Sequence, residues 1–146
     1  MMASANIHLK GSGLVKEAVA AAASILPGHR LDLTINSGVV EVGVGGAATA
    51  LDAGRAAFAI EASEIGNEVT DAYADNDTVK YVVAHRGDEV QARAVVSLTW
   101  AAGAPLYAAA AGRVTDVPGS GVQALGYALT AVSSSTADLL VDMEVA

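Results

Sequence analysis

The chain contains no cysteine, which excludes a disulfide framework and thiolate metal sites. Aromatic side chains are scarce as well, with one Phe, one Trp and four Tyr in 146 residues. Yet 53% of the chain is apolar, so the hydrophobic content rests mainly on Ala and Val. At about 25 cal/mol per Å² of buried apolar surface, a core of such side chains stabilises less than a Leu/Phe core of equal residue count. Contacts between subunits would supply the missing burial, so the chain is expected to self-associate. Basic residues are few, eight against sixteen acidic ones for a formal charge of −8, and they are scattered along the chain. That balance repels phosphate backbones and argues against nucleic-acid binding. Long apolar runs are missing too. Residues 94–112 and 117–137 carry no charge, but Gly103 and Pro105 interrupt the first and Pro118-Gly119-Ser120-Gly121 the second, so no membrane-spanning helix is expected. Glu17 abuts the apolar stretch after Lys16, and Pro27-Gly28 follows it, which argues against a secretory leader.

What is present is a series of short β-branched runs separated by turn residues. Residues 30–35 and 39–44 flank Asn36-Ser37-Gly38 and predict a hairpin. Residues 78–84 and 89–99 flank a second turn, His85-Arg86-Gly87-Asp88, and further candidates lie at 56–61, 106–109, 113–117, 124–132 and 139–145. Residues 16–26 have two readings, a short alanine-rich helix or an extended segment ended by Pro27-Gly28. The expected fold is therefore mainly β, a small barrel or sandwich with at most one or two short helices. Residues 1–16, with Gly11, Ser12 and Gly13 among scattered apolar side chains, read as a flexible docking arm on a single β-rich domain of residues 17–146. In that arm Ile7 and Leu9 alternate with polar residues well enough to add an edge strand to a neighbour, and Lys10 and Lys16 suit acidic partner groups. Ile7, Leu9, Lys10, Leu14 and Lys16 are the candidate partner-binding residues. Residues 52–77 hold seven acidic residues and one basic one and read as a long exposed connection.

Chemistry-bearing motifs are weak. Gly43-Val44-Gly45-Gly46-Ala47-Ala48 fits a dinucleotide fingerprint by letter, with Glu61 or Glu64 at the distance of a ribose-binding acid. A pyrophosphate site needs a substantial helix behind it, and Gly54 would end one after about two turns. A glycine-rich strand end is the better reading. Asp71, Asp75, Asn76 and Asp77 supply oxygen ligands without the spacing of a calcium loop and read as a solvated turn. His8, His29 and His85 have no zinc-ligand spacing. No nucleophile elbow surrounds Ser63 or Ser97, either of which would need His85 beside it. Arg86-Gly87-Asp88 spells an adhesion tripeptide but sits where a tight turn is expected. No catalytic residue, cofactor or metal is assigned, and the chain is not expected to be an enzyme.

Three segments resemble a family of tailed-phage head decoration, or capsid cement, proteins. They are Lys16-Glu17-Ala18-Val19-Ala20 with Ile25-Leu26-Pro27-Gly28, then Thr70-Asp71-Ala72-Tyr73-Ala74-Asp75-Asn76-Asp77-Thr78-Val79, then Arg86-Gly87-Asp88-Glu89-Val90-Gln91-Ala92-Arg93-Ala94. The resemblance spans about residues 14–145, with Asn76 where the family has Gly, and is loose after Trp100. It implies a β-rich domain, usually a homotrimer, on the outer surface of the virion capsid, clamping the lattice of major capsid protein. The alternative is a β-sandwich module for carbohydrate or receptor binding, with Trp100, Tyr73 and Tyr107 as an exposed aromatic platform.

Overall fold

The computed structural model describes residues 7–48, 54–95, 98–134 and 139–146. Its strands are β1 (His8–Lys10), β2 (Leu14–Ala20), β3 (Leu31–Asn36), β4 (Val39–Val44), β5 (Ala57–Ala59), β6 (Thr78–Val83), β7 (Glu89–Arg93), β8 (Leu98–Trp100), β9 (Pro105–Ala108), β10 (Val114–Thr115), β11 (Gly126–Ala128), β12 (Val132–Ser134) and β13 (Leu140–Val145). The helical content among the described residues is two single 3₁₀ turns, Ser63–Ile65 and Ala110–Gly112. The fold is mainly β and sandwich-like, as the sequence implies.

Two larger sheets carry the architecture. One has six strands in the order β1-β7-β13-β11-β9-β10, the other five in the order β3-β4-β2-β6-β5, and β12 pairs with β8 apart from them. Strand pairing is antiparallel except between β2 and β4. The five-stranded sheet curls until Arg30, just before β3, bridges Phe58 of β5, but this single bridge does not close a barrel.

The thin Ala/Val composition is offset by using both faces of the same strands. In β5, Ala57 and Ala59 point into a core with Leu31, Val42, Val79 and Tyr81, while Phe58 points the other way with Val82 into a core with Ile7, Val90, Trp100, Leu106 and Met143. Period-two alternation therefore serves two cores at once. Residues 16–26 are not helical. Their first part is β2, whose residues pair along β6 from Leu14↔Val83 to Val19↔Thr78.

Turn chemistry follows the residues. Ser37 and Gly38 both have positive φ, 49° and 80°, the requirement of the two-residue loop that matches strand twist, and β3 and β4 pair from Leu31↔Val44 to Asn36↔Val39. Asn76 takes φ 64°, where its short polar side chain stands in for glycine. The turn at residues 85–88 does not make a hairpin. β6 belongs to one sheet and β7 to the other, so this turn is where the chain changes layer.

The Arg30 side chain fastens the ends of β3, β4 and β5 in the five-stranded sheet, and its main chain reaches the segment before β10 of the other. Its side chain is 1% exposed, and its guanidinium donates to Asp32 Oδ1 at 2.8 Å, to the Arg55 carbonyl at 3.4 Å and to the Gly46 carbonyl. Its main chain accepts from Gly45 N–H and donates to the Gly112 carbonyl. A Cβ on Gly45 would overlap the guanidinium, so the absent side chain here makes room for a buried cation. We predict that Gly45→Ala lowers stability by about 1–3 kcal/mol through overpacking. Arg30→Ala should lower it by about 3–5 kcal/mol by orphaning its acceptors and opening a cavity. Thermal melting should rank the variants in that order; an unchanged melting temperature for Arg30→Ala would show that these bonds do not hold the fold.

Candidate functional site

The expected arm is part of the fold from residue 7 onward. Ile7 is fully buried in the larger core, β1 pairs with β7 through His8↔Val90 and Lys10↔Glu89, and the Gln91 amide donates to the Ile7 carbonyl at 2.7 Å. Residues 14–16 already lie in β2, so the expected boundary after residue 16 falls inside a strand. Ile7 is thereby corrected from a partner contact to a core residue. One isoleucine among polar neighbours gave no sign of its packing, because the core that receives it is built from distant strands. Residues 1–6 lie outside the described residues.

Asp88 latches the chain between β1 and β2 to the layer-changing turn. Its carboxylate accepts from Ser12 N–H at 3.1 Å and from His85 N–H at 2.8 Å, and the side chain is buried. Ser12 Oγ and His85 Nδ1 are 3.2 Å apart. A Cβ on Gly11, at φ 123°, would overlap the Asp88 carboxylate, which gives the Gly11-Ser12-Gly13 stretch a packing reason. Each oxygen of Asp88 accepts one of these backbone donors, so the Ser–His contact belongs to a loop fastened at Asp88.

The other four partner-binding candidates stay on the surface. Leu14 is 56% exposed, Leu9 38%, and Val15 beside Leu14 is 51%. Lys10 is solvent-exposed and reaches Glu89 Oε2 at 3.5 Å, and Lys16 is exposed in β2. The eight basic side chains partition sharply. Arg30 and Arg93 are buried, Arg55, Lys80 and Arg113 are half-buried, and Lys10, Lys16 and Arg86 are exposed. Arg86 sits in the turn that Ser12 and Asp88 fasten between β1 and β2. The exposed cations of the chain are therefore Lys10 on β1, Lys16 on β2 and Arg86 in the layer-changing turn, interleaved with Glu17, with Glu89 across from Lys10, and with Glu144 across from Glu89. The sequence alone did not single out Arg86, because which basic residues stay exposed is settled only in the fold.

Other motifs resolve to structural roles. Gly43 lies within β4, and Gly45 and Gly46 lie against the Arg30 guanidinium, with Gly46 N–H donating to Asp32 Oδ2 at 3.2 Å; no helix opens in residues 45–48, the described end of this stretch. Asp71 accepts from Glu68 N–H at 2.7 Å and Asp77 from Ala74 N–H at 2.8 Å, as local turns, and no group of three or more metal-ligating side chains gathers among the described residues. Residues 68–77 are anchored as well as exposed. Arg93 donates to the Pro27 carbonyl at 2.7 Å and the Val69 carbonyl at 2.5 Å, and Tyr73 is buried with its hydroxyl donating to the Ile60 carbonyl at 2.7 Å. Trp100 is also buried and Tyr107 half-buried, so the aromatic platform of the carbohydrate-binding alternative does not exist. Ser97 lies outside the described residues. No helix among the described residues is long and apolar enough to cross a membrane.

No protein-family model and no curated protein matches the chain. Among solved structures, the fold is similar to the N base of the head fiber gp8.5 of bacteriophage phi29, with a TM-score of 0.61 and 11% identity over 92% of this chain and 95% of that one. The two chains share an architecture nearly end to end.

Burial alone pushes the Asp88 carboxyl up, but the His85 and Ser12 N–H donors, aided by positive charge at His8 and His85, outweigh it and hold the carboxyl below its ordinary value. A depressed folded value means stability that is present above the unfolded aspartate value of about 3.9 and is lost as pH falls through the folded one. Wild type should therefore melt above Asp88→Asn at pH 6, and the gap should narrow as the pH drops below the unfolded aspartate value of about 3.9. A gap independent of pH would show that the charge of Asp88 does not act in the latch.

Proposed function

We propose that this chain is a non-enzymatic structural protein of a phage head, bound as an oligomer to the outer capsid surface, where it stabilises the lattice of major capsid protein. The observation that carries the reading is the end-to-end likeness of its fold to the base of a phage head fiber. The three segments that resemble capsid decoration proteins support it. In the fold they form β2 with its exit, the anchored stretch before β6, and the layer-changing turn with β7. The docking pole is the surface around Lys10, Lys16 and Arg86. Three exposed cations on a chain of net charge −8 select an acidic partner surface and orient the approach, while Leu9, Leu14 and Val15 supply apolar area to bury on contact.

The test is co-sedimentation with expanded capsids that lack the protein. Wild type should bind, and the Lys16→Glu, Arg86→Glu double variant should lose at least about fivefold in affinity at low salt, with less difference at high salt because the effect is electrostatic. Ile7→Ala should behave in the opposite sense, losing about 2–5 kcal/mol of stability as a core truncation while the folded fraction still binds. Wild-type protein that fails to sediment with capsids would reject the head-protein reading, and undiminished binding by the charge-reversed variant would move the docking surface elsewhere.

A further inference from the structure

Three acidic side chains fasten residues 7–13 to the rest of the molecule. Glu61 Oε2 accepts from Ile7 N–H at 3.2 Å, Asp88 Oδ1 accepts from Ser12 N–H at 3.1 Å, and Glu89 Oε2 lies 3.5 Å from Lys10 Nζ. The Gln91 amide adds a main-chain bond to the Ile7 carbonyl at 2.7 Å. The apolar hold is narrow by comparison. It rests on Ile7, since Leu9 and Lys10 beyond it are exposed, and β1 itself pairs with β7 in a register that shifts between His8 and Lys10.

This segment can leave without breaking either large sheet. β1 is the terminal strand of its sheet, and β7 stays paired on its other side with β13, from Leu140↔Arg93 to Glu144↔Glu89. Gly11, at φ 123°, and Gly13 flank Ser12 between β1 and β2, a joint where the backbone can change direction. Closure also carries a cost. His8 Nε2 is buried with no hydrogen-bond partner among the described residues, and an uncompensated polar atom weakens the strand that holds it. A short edge strand of this kind belongs to the low-stability end of a structure.

We propose that residues 7–13 form a strap that acid releases from β7 while both sheets stay folded, because protonation of Glu61, Asp88 and Glu89 removes the charges that hold it. The charged groups around these carboxylates are His8 and Lys10 on the strap, His85 and Arg86 in the layer-changing turn, Glu144 of β13 opposite Glu89, and Lys80 of β6, whose carbonyl accepts from Ile60 N–H beside Glu61. Positive charge at His8 and His85 favours the ionised Asp88 carboxylate and so opposes release. The closed strap binds fewer protons at Asp88 than the open one. Its closure is therefore favoured above the ordinary aspartate value of about 3.9 and lost as pH falls through the lower folded value. Release opens the edge of β7 to solvent and carries Leu9 and Lys10 away from Lys16 and Arg86. The inference concerns the free protein and stands apart from capsid binding.

Amide hydrogen exchange of the full chain, followed residue by residue by NMR and corrected for the intrinsic rate at each pH, tests this. The reporter is the Gln91 amide, whose acceptor is the Ile7 carbonyl rather than any of the three carboxylates. Two amides serve as references: Val145, bonded to the Asp88 carbonyl at 2.9 Å, and Ala59, bonded to the His29 carbonyl at 3.0 Å. Between pH 7 and about pH 3, Gln91 should lose at least about tenfold of its protection while both references change by less than about threefold. At pH 7 the Glu61→Gln, Glu89→Gln double variant should lower the protection of Gln91 and leave the references as they are. Should that variant fail to fold, Glu61→Gln alone carries the same comparison. Gln91 that keeps its protection in acid, Gln91 that fails together with both references, or a folded variant with wild-type protection at Gln91 would each overturn the proposal.

Discussion

A buried arginine is the constraint around which this fold is arranged. Taking the Arg30 guanidinium out of water is costly unless acceptors meet its N–H groups. Nη1 and Nη2 find them, which brings together segments far apart in the chain, while Nε is buried with none among the described residues. Asp32 comes from its own strand, the Gly46 carbonyl from the end of β4 and the Arg55 carbonyl from the approach to β5. A main-chain bond from Arg30 to the Gly112 carbonyl reaches the segment before β10 of the other sheet, and the curled five-stranded sheet brings the Arg30 main chain against Phe58. A core built from alanine and valine has little surplus burial with which to hold two sheets in register. Polar fastenings hold them instead, with Arg30 at one junction, Arg93 under the acidic connection, and Asp88 at the turn between layers.

These fastenings also shape the surface. Because Arg30 and Arg93 are buried, the exposed cations of an already acidic chain are Lys10, Lys16 and Arg86, on β1, on β2 and in the turn that Asp88 fastens to Ser12. Within the proposed function, Lys10, Lys16 and Arg86 are the groups offered to an acidic surface, with Leu9 and Leu14 as the apolar area beside them.

Much of the fold was legible because its signals are local. The hairpin at 30–44 shows in β-branched runs around Asn36-Ser37-Gly38, where the structure uses positive φ at two consecutive residues, and the strands at 78–83, 105–108 and 140–145 fall within or beside their expected runs. What stayed hidden depends on partners distant in sequence. β1 is three residues long and exists because β7 offers an edge, so Ile7 read as an arm residue instead of a core one. Gly45 and Gly46 resembled a phosphate cradle because the guanidinium they accommodate comes from Arg30, well before them in the chain, and no local pattern announces it. Of the expected docking residues, Leu9, Lys10, Leu14 and Lys16 are exposed, as is Arg86 in a turn that changes sheets where a hairpin would be the simplest guess.

Under the proposed function, orientation on a phage head decides whether the surface around Lys10, Lys16 and Arg86 is the working face. Electron cryomicroscopy of expanded capsids incubated with the protein answers this directly. The prediction is density on the outer surface into which the fold fits with Lys10, Lys16 and Arg86 turned toward acidic side chains of the capsid protein. Capsids left bare, or a bound molecule with that surface turned to solvent, would contradict it.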